Sequence, residues 1–161
     1  MTYYSAVCLE TGEVEEMEVE TTCTAETSAA FLAQVRAHHS EPLIVIWDNG
    51  PAHRGDALRA FLATPDLRLR LVPLPAYSPD FNADEAIWNW IREDITANTC
   101  LGTRAKVREH VDAFFTKLRG RTMEVTQRCR SLLQATADEL AATHARTKQP
   151  IEHTDFIVAL L

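Results

Sequence analysis

Apolar and polar residues alternate at the start of the chain. Tyr4, Ala6 and Cys8, then Val14, Met17 and Val19, fall within two short runs, 3–9 and 13–19, on either side of Thr11-Gly12. A period of two interrupted by a glycine turn predicts a β-hairpin, irregular near Glu15-Glu16. The period then lengthens. Phe31, Leu32, Val35 and His39 recur at helical spacing among Ala29, Ala30 and Ala33, with Thr24 or Thr27 placed to cap the helix. That helix ends before Pro42. Leu43-Ile44-Val45-Ile46-Trp47 is apolar at every position, the pattern of a strand covered on both faces of a parallel sheet. A helix over about 54–63 carries Leu58, Phe61 and Leu62 on one face. Leu67 to Val72 alternates with Arg68 and Arg70, which predicts a strand near the sheet edge. Pro73, Pro75 and Pro79 stiffen the loop that follows. From Asn82 onward, Ile87, Trp88, Trp90, Ile91 and Ile95 predict a long amphipathic helix. Two more helices are expected near 103–118 and 121–145, and the tail from His153 to Leu161 is expected to dock as a short helix. Strands alternating with helices define an α/β class. Without a repeat or a flexible linker, residues 1–161 read as one domain with C-terminal helices from about 103.

Composition sharpens this picture. The 161 residues suffice for one real core, and no apolar run reaches the roughly 18 residues that a membrane span requires. Met1-Thr2-Tyr3-Tyr4 lacks the basic and apolar regions of a signal peptide, so the expected location is cytoplasmic, with no membrane partner. Cys8, Cys23, Cys100 and Cys129 form no Cys-x-x-Cys pair, which argues for reduced thiols over a zinc or redox site. The net charge of -7 is uneven: -8 over residues 1–50, -2 over 51–100 and +3 over 101–161. The bases therefore gather where a local DNA-facing patch could form, although a solvated helix face has the same counts.

Two acids stand where chemistry is expected. Asp48 directly follows the buried run, and ligands of open α/β sheets bind beyond the carboxyl ends of the strands. An aspartate there either faces a ligand or caps the turn with Asn49 and Gly50. Glu85 begins the helix that carries Trp88, with 36 residues between it and Asp48. A helix that starts past a strand end brings its first-turn carboxylate towards the neighbouring strand tip. Two carboxylates meeting there repel unless a cation lies between them, and Mg²⁺ suits such a site. The alternative for Glu85 is a first-turn acid favoured by the helix dipole.

The surrounding strings decide between these readings. Trp47-Asp48-Asn49-Gly50-Pro51-Ala52-His53 resembles the Asp-Asn-x-x-x-His motif of mariner-like bacterial insertion-sequence transposases of the DDE superfamily. Leu74-Pro75-Ala76-Tyr77-Ser78-Pro79-Asp80-Phe81-Asn82-Ala83-Asp84-Glu85-Ala86-Ile87-Trp88 resembles their Leu-Pro-x-Tyr-Ser-Pro-(Asp/Glu)-Leu-Asn-Pro-(Ile/Val)-Glu-x-x-Trp signature. The resemblance covers about residues 3–118. It implies an RNase H-like, retroviral-integrase-like mixed sheet flanked by helices. It also implies metal-dependent cleavage of DNA at transposon ends and transfer of the strands to target DNA. Asp48 and Glu85 would hold Mg²⁺ or Mn²⁺, with Asn49, His53 and Asn82 supporting the site or facing DNA.

Departures from that pattern carry their own expectations. Ala83-Asp84 replaces the usual Pro-(Ile/Val), which loosens the turn and sets a charge beside Glu85, where it could shift that carboxyl or act as a stray ligand. The hairpin matches the family's second and third strands, so the first central strand and its catalytic Asp are expected upstream of Met1. Glu10, at a hairpin turn, is a poor substitute. The isolated chain is therefore expected to be weakly active or inactive, with unpaired edges in mid-sheet that favour self-association or an upstream transposase fragment as partner. The rival reading is a catalytically dead remnant or split-transposase subunit that works by protein association. Trp88 and Trp90 read as core. Arg104, Lys106, Arg108, Arg119, Arg121, Arg128 and Arg130 follow a DNA backbone or form a solvated face, and adjacent His38-His39 lacks the i, i+4 spacing of a helical metal pair.

Overall fold

The computed structural model describes residues 2–75, 82–96, 101–129 and 155–160. The Ala76–Phe81 part of the second motif, Cys100, Arg130 and the later part of the helix expected to reach 145 lie outside the described residues.

The hairpin forms as its alternation predicts. β1 (Thr2–Cys8) pairs antiparallel with β2 (Val14–Val19), from Thr2↔Val19 to Val7↔Val14. Gly12 turns the chain with φ 74, a conformation that disfavours any side chain. α1 (Ala25–His38) starts at a reciprocal capping box: the Thr24 side chain accepts from the Thr27 amide, and Thr27 bonds back to Thr24. Both candidate threonines thus serve the cap together. β3 (Leu43–Trp47) is buried at all five positions. A short 3₁₀ turn at Pro51–His53 leads into α2 (Asp56–Leu62). β4 (Leu69–Pro73) runs parallel to β3 at the sheet edge, as the arginine alternation anticipates. α3 (Ala83–Ile91) widens into a π-helical turn at Arg92–Thr96, and α4 (Arg104–Leu118) precedes a further helical segment at 122–129.

Two expectations are corrected at the C-terminus. Residues Asp155–Leu160 form a strand, β5, and not a helix. β5 lies inside the sheet, whose order is β2-β1-β5-β3-β4. It pairs antiparallel with β1 (Ser5↔Leu160 to Cys8↔Ile157) and parallel with β3 (Leu43↔Asp155 to Ile46↔Val158). The edges of β1 and β3 that were expected to stand open in mid-sheet are therefore paired. A five-residue apolar run with adjacent β-branched residues suits a strand, and the slot between two edges supplies the ladder that it needs.

Helices cover both faces of the sheet. Tyr4 stacks on Phe31 of α1 at 5.3 Å, while Tyr3 on the opposite face meets Phe115 of α4 at 6.3 Å and donates to Asp112 at 3.1 Å. β1 is consequently buried on both sides from Tyr3 to Cys8. Among the described residues no helix is long and apolar enough to cross a membrane.

Candidate active site

The register places the two candidate acids at one end of the sheet. Val158 pairs with Ile46, so two residues further Leu160 is level with Asp48, and Leu160 pairs with Ser5. Ser5 thus sits two strands across from Asp48, roughly 10 Å at a strand spacing of about 4.8 Å. The Ser5 hydroxyl donates to Asp84 at 2.5 Å and anchors the first turn of α3, with Glu85 next in sequence, at that same end. β1 runs the other way, so Glu10, beyond Cys8, lies at the opposite end of β3 and cannot substitute for an acid here.

Asp48 is held by its own loop. The Gly50 amide donates to its Oδ1 at 2.7 Å. His53 Nδ1 lies 3.1 Å from the same oxygen and 2.9 Å from the Asp48 carbonyl, so one N–H shared by both acceptors fixes the Nδ1-protonated tautomer. The imidazole is in turn locked in place: it stacks on Trp47 at 4.0 Å, 3° from coplanar, with its side chain only 4% exposed. The His53 bond, then the Gly50 amide, hold the Asp48 carboxyl below its ordinary range, against the effect of burial. The Asp48 side chain remains 39% exposed and can reach a ligand. Asn49 donates to the Leu74 carbonyl at 2.6 Å and ties the first motif to the start of the second.

A Cβ added at Gly50 would lie 2.9 Å from Asp48 Oδ1, too close unless the carboxylate shifts. We expect Gly50→Ala to displace the carboxylate and lower stability by roughly 1–3 kcal/mol, as overpacking does. Urea denaturation checks this, and an unchanged midpoint would contradict it.

The α3 side of the site is built by Asn82 and Asp84. Asn82 is buried and accepts from the Asp84 amide at 3.0 Å, so it caps the helix and does not face solvent. Asp84 is 0% exposed. Its Oδ2 accepts from Ser5 and, at 2.7 Å, from Trp88 Nε1, while its Oδ1 meets no hydrogen-bond partner among the described residues. Burial pushes the Asp84 carboxyl up to about 7. The charge beside Glu85 is thus sealed into the core and is not a stray ligand at the surface. Glu85 itself is 34% exposed, with Arg92 Nη2 3.6 Å from its Oε2. Sequence inspection passed over Arg92, although its i+7 spacing from Glu85 was the available signal.

Most of the other residues singled out are engaged elsewhere. Trp90 is buried, with Arg128 and Arg121 over its ring at 4.2 and 4.8 Å. Arg108 pairs with Glu18, Arg119 with Glu16, Arg128 with Glu93 and Arg121 with Glu124. Arg104 and Lys106 lie exposed at the start of α4. His38 and His39 both meet the Glu15 carboxylate, at 2.7 and 3.0 Å, and line a cleft of about 570 Å³ with Cys8, Glu13 and Arg119. That cleft lies at the Cys8 end of β1, away from Asp48. Among the described residues, no three or more His, Cys, Asp or Glu side chains converge as a metal cage.

The family model described as DDE superfamily endonuclease matches residues 1–108. No curated protein and no solved structure matches the chain.

Proposed function

The chain belongs to the DDE superfamily endonucleases, and from that premise we propose that it serves DNA transposition by metal-dependent cleavage and strand transfer at transposon ends. In this reading the sheet is an RNase H-like core of the mariner-like kind. The observation that carries the proposal is the Asp48 loop. A half-exposed carboxylate, kept charged by Gly50 and His53, stands at the carboxyl end of a buried parallel strand, and Glu85 opens a helix anchored at that same end.

The donors fit Mg²⁺ or Mn²⁺ in chemistry: both are carboxylates on partly exposed side chains. Asp48 and Glu85 would hold the ion, with water and phosphate oxygens completing its shell, as Mg²⁺ commonly accepts. A bound ion of this kind activates the attacking hydroxyl and stabilises the leaving oxygen. The protein's own share is positional. His53 and Gly50 set the angle of the Asp48 carboxylate, Asn49 joins the two motifs, and Asn82 caps the helix that presents Glu85.

Titration with Mn²⁺, following the free ion by its paramagnetic resonance, tests the assignment. Asp48→Ala and Glu85→Ala should each weaken binding about tenfold, the equivalent of roughly 1.4 kcal/mol for one lost carboxylate. Unaltered affinity in both variants would remove the metal site and the cleavage mechanism with it.

A further inference from the structure

Glu85, Asn89 and Arg92 form a polar stripe along α3. Seven residues advance an α-helix by nearly two full turns, so Arg92 lies on the same face as Glu85, and Asn89 lies between them. Ala83, Asp84, Ile87, Trp90 and Ile91 occupy the buried side. Helical side chains lean towards the N-terminus, which brings the long Arg92 side chain back over the preceding turns. Its Nη1 donates to Asn89 Oδ1 at 2.7 Å, and its Nη2 stands 3.6 Å from Glu85 Oε2, an ion-pair distance longer than a hydrogen bond. Arg92 is 62% exposed and begins the π-helical turn, a departure from α geometry that is frequent at functional sites.

We propose that Arg92, steadied by Asn89, is a DNA-phosphate contact that delivers the backbone to the Glu85 carboxylate. This rests on the reading of the site as a DNA-cleaving centre. A guanidinium matches a phosphate in a planar, bidentate fork. In this arrangement it also supplies the counter-charge to Glu85. At 3.6 Å that pairing is looser than a hydrogen bond, so the exposed guanidinium can turn from Glu85 to an arriving phosphate. Arg108, Arg119, Arg121 and Arg128 are engaged with acids on β2, on the 92–96 turn or within the 121–124 segment. Arg92 is paired with the candidate ligand itself.

The test is fluorescence anisotropy of a labelled DNA duplex of about 20 base pairs, without divalent ion, across a salt series. Arg92→Gln should weaken binding about threefold to tenfold and lower the salt slope by about 1, the signature of one lost phosphate contact. Arg92→Lys should recover most of the slope. Glu85→Gln should strengthen binding by removing a repelling carboxylate, and thermal melting should show all three variants folded as the parent. An Arg92→Gln chain with the parental affinity and slope overturns this proposal while leaving DNA binding intact. A parent chain that binds no duplex at low salt overturns both this proposal and the DNA-directed function.

Discussion

A Val158→Pro chain is expected to melt about 6–12 °C below the parent. Val158 lies in the middle of β5, paired with Val7 on one side and Ile46 on the other. Proline removes a ladder donor and leaves a buried carbonyl without its partner, at roughly 1–3 kcal/mol. The ring also presses on the neighbouring strand, so the total is about 3 kcal/mol. At roughly 2–4 °C per kcal/mol for a chain of this size, the shift follows. The effect should exceed that of most single substitutions because, among the described strands, β5 joins the hairpin β1-β2 to the pair β3-β4 in the order β2-β1-β5-β3-β4. Asp155→Pro is the control, since the first residue of a strand tolerates proline. Circular dichroism on heating checks the pair. A Val158→Pro chain that melts with the parent would show that β5 does not bind the sheet together.

The second large effect concerns pH. Asp84 titrates near 7 in the fold and at its ordinary 3.8 when unfolded, chiefly because burial disfavours the charged carboxylate. Its neutral form is the one that the fold prefers. The contribution of Asp84 to stability should therefore be greatest below about pH 4, fall as pH rises from about 4 to 7, and level off above that. A shift of this size corresponds to roughly 4 kcal/mol at full ionisation. Asp84→Asn keeps an oxygen to accept from Ser5 and Trp88 and has no charge to bury. It should match the parent within about 1 kcal/mol near pH 4 and exceed it by up to about 4 kcal/mol near pH 8. Urea unfolding at both pH values measures this, and parallel pH profiles for parent and variant would refute it.

What could be read from the chain was local. Leu43–Trp47 needs no partner to announce a doubly covered strand, since five apolar residues in succession leave no face for water. Thr24 and Thr27 cap α1 through bonds spanning three residues, a distance that pattern reading handles well. Asp48 and His53 are five residues apart, and their pairing follows from one loop. The failures were at long range. Ser5 occupies a polar position in an alternating strand, yet it is buried and bonds to Asp84, 79 residues on. The run Phe156–Leu160 is too short for periodicity to distinguish strand from helix, and only the slot between β1 and β3 decides it. The arginines in and just after α4 read as a solvated face somewhat more readily than as DNA contacts. Glu16 and Glu18, which pair with Arg119 and Arg108, lie 103 and 90 residues earlier in the chain. Such surface pairs add little stability, but they set where positive charge remains to meet a partner.

The place of β5 also bears on how the protein is born. A ribosome must deliver at least 155 residues before the middle of the sheet can begin to close, because Asp155 is the first residue of the strand that closes it. Until then β1 and β3 emerge as two separate edges, each able to pair with any extended chain nearby. The closing contact, Ser5 with Leu160, spans 155 residues of sequence (160 − 5). Folding should therefore be slow for a chain of this length, and newly made protein should depend on chaperones for longer than a sheet completed from its N-terminus.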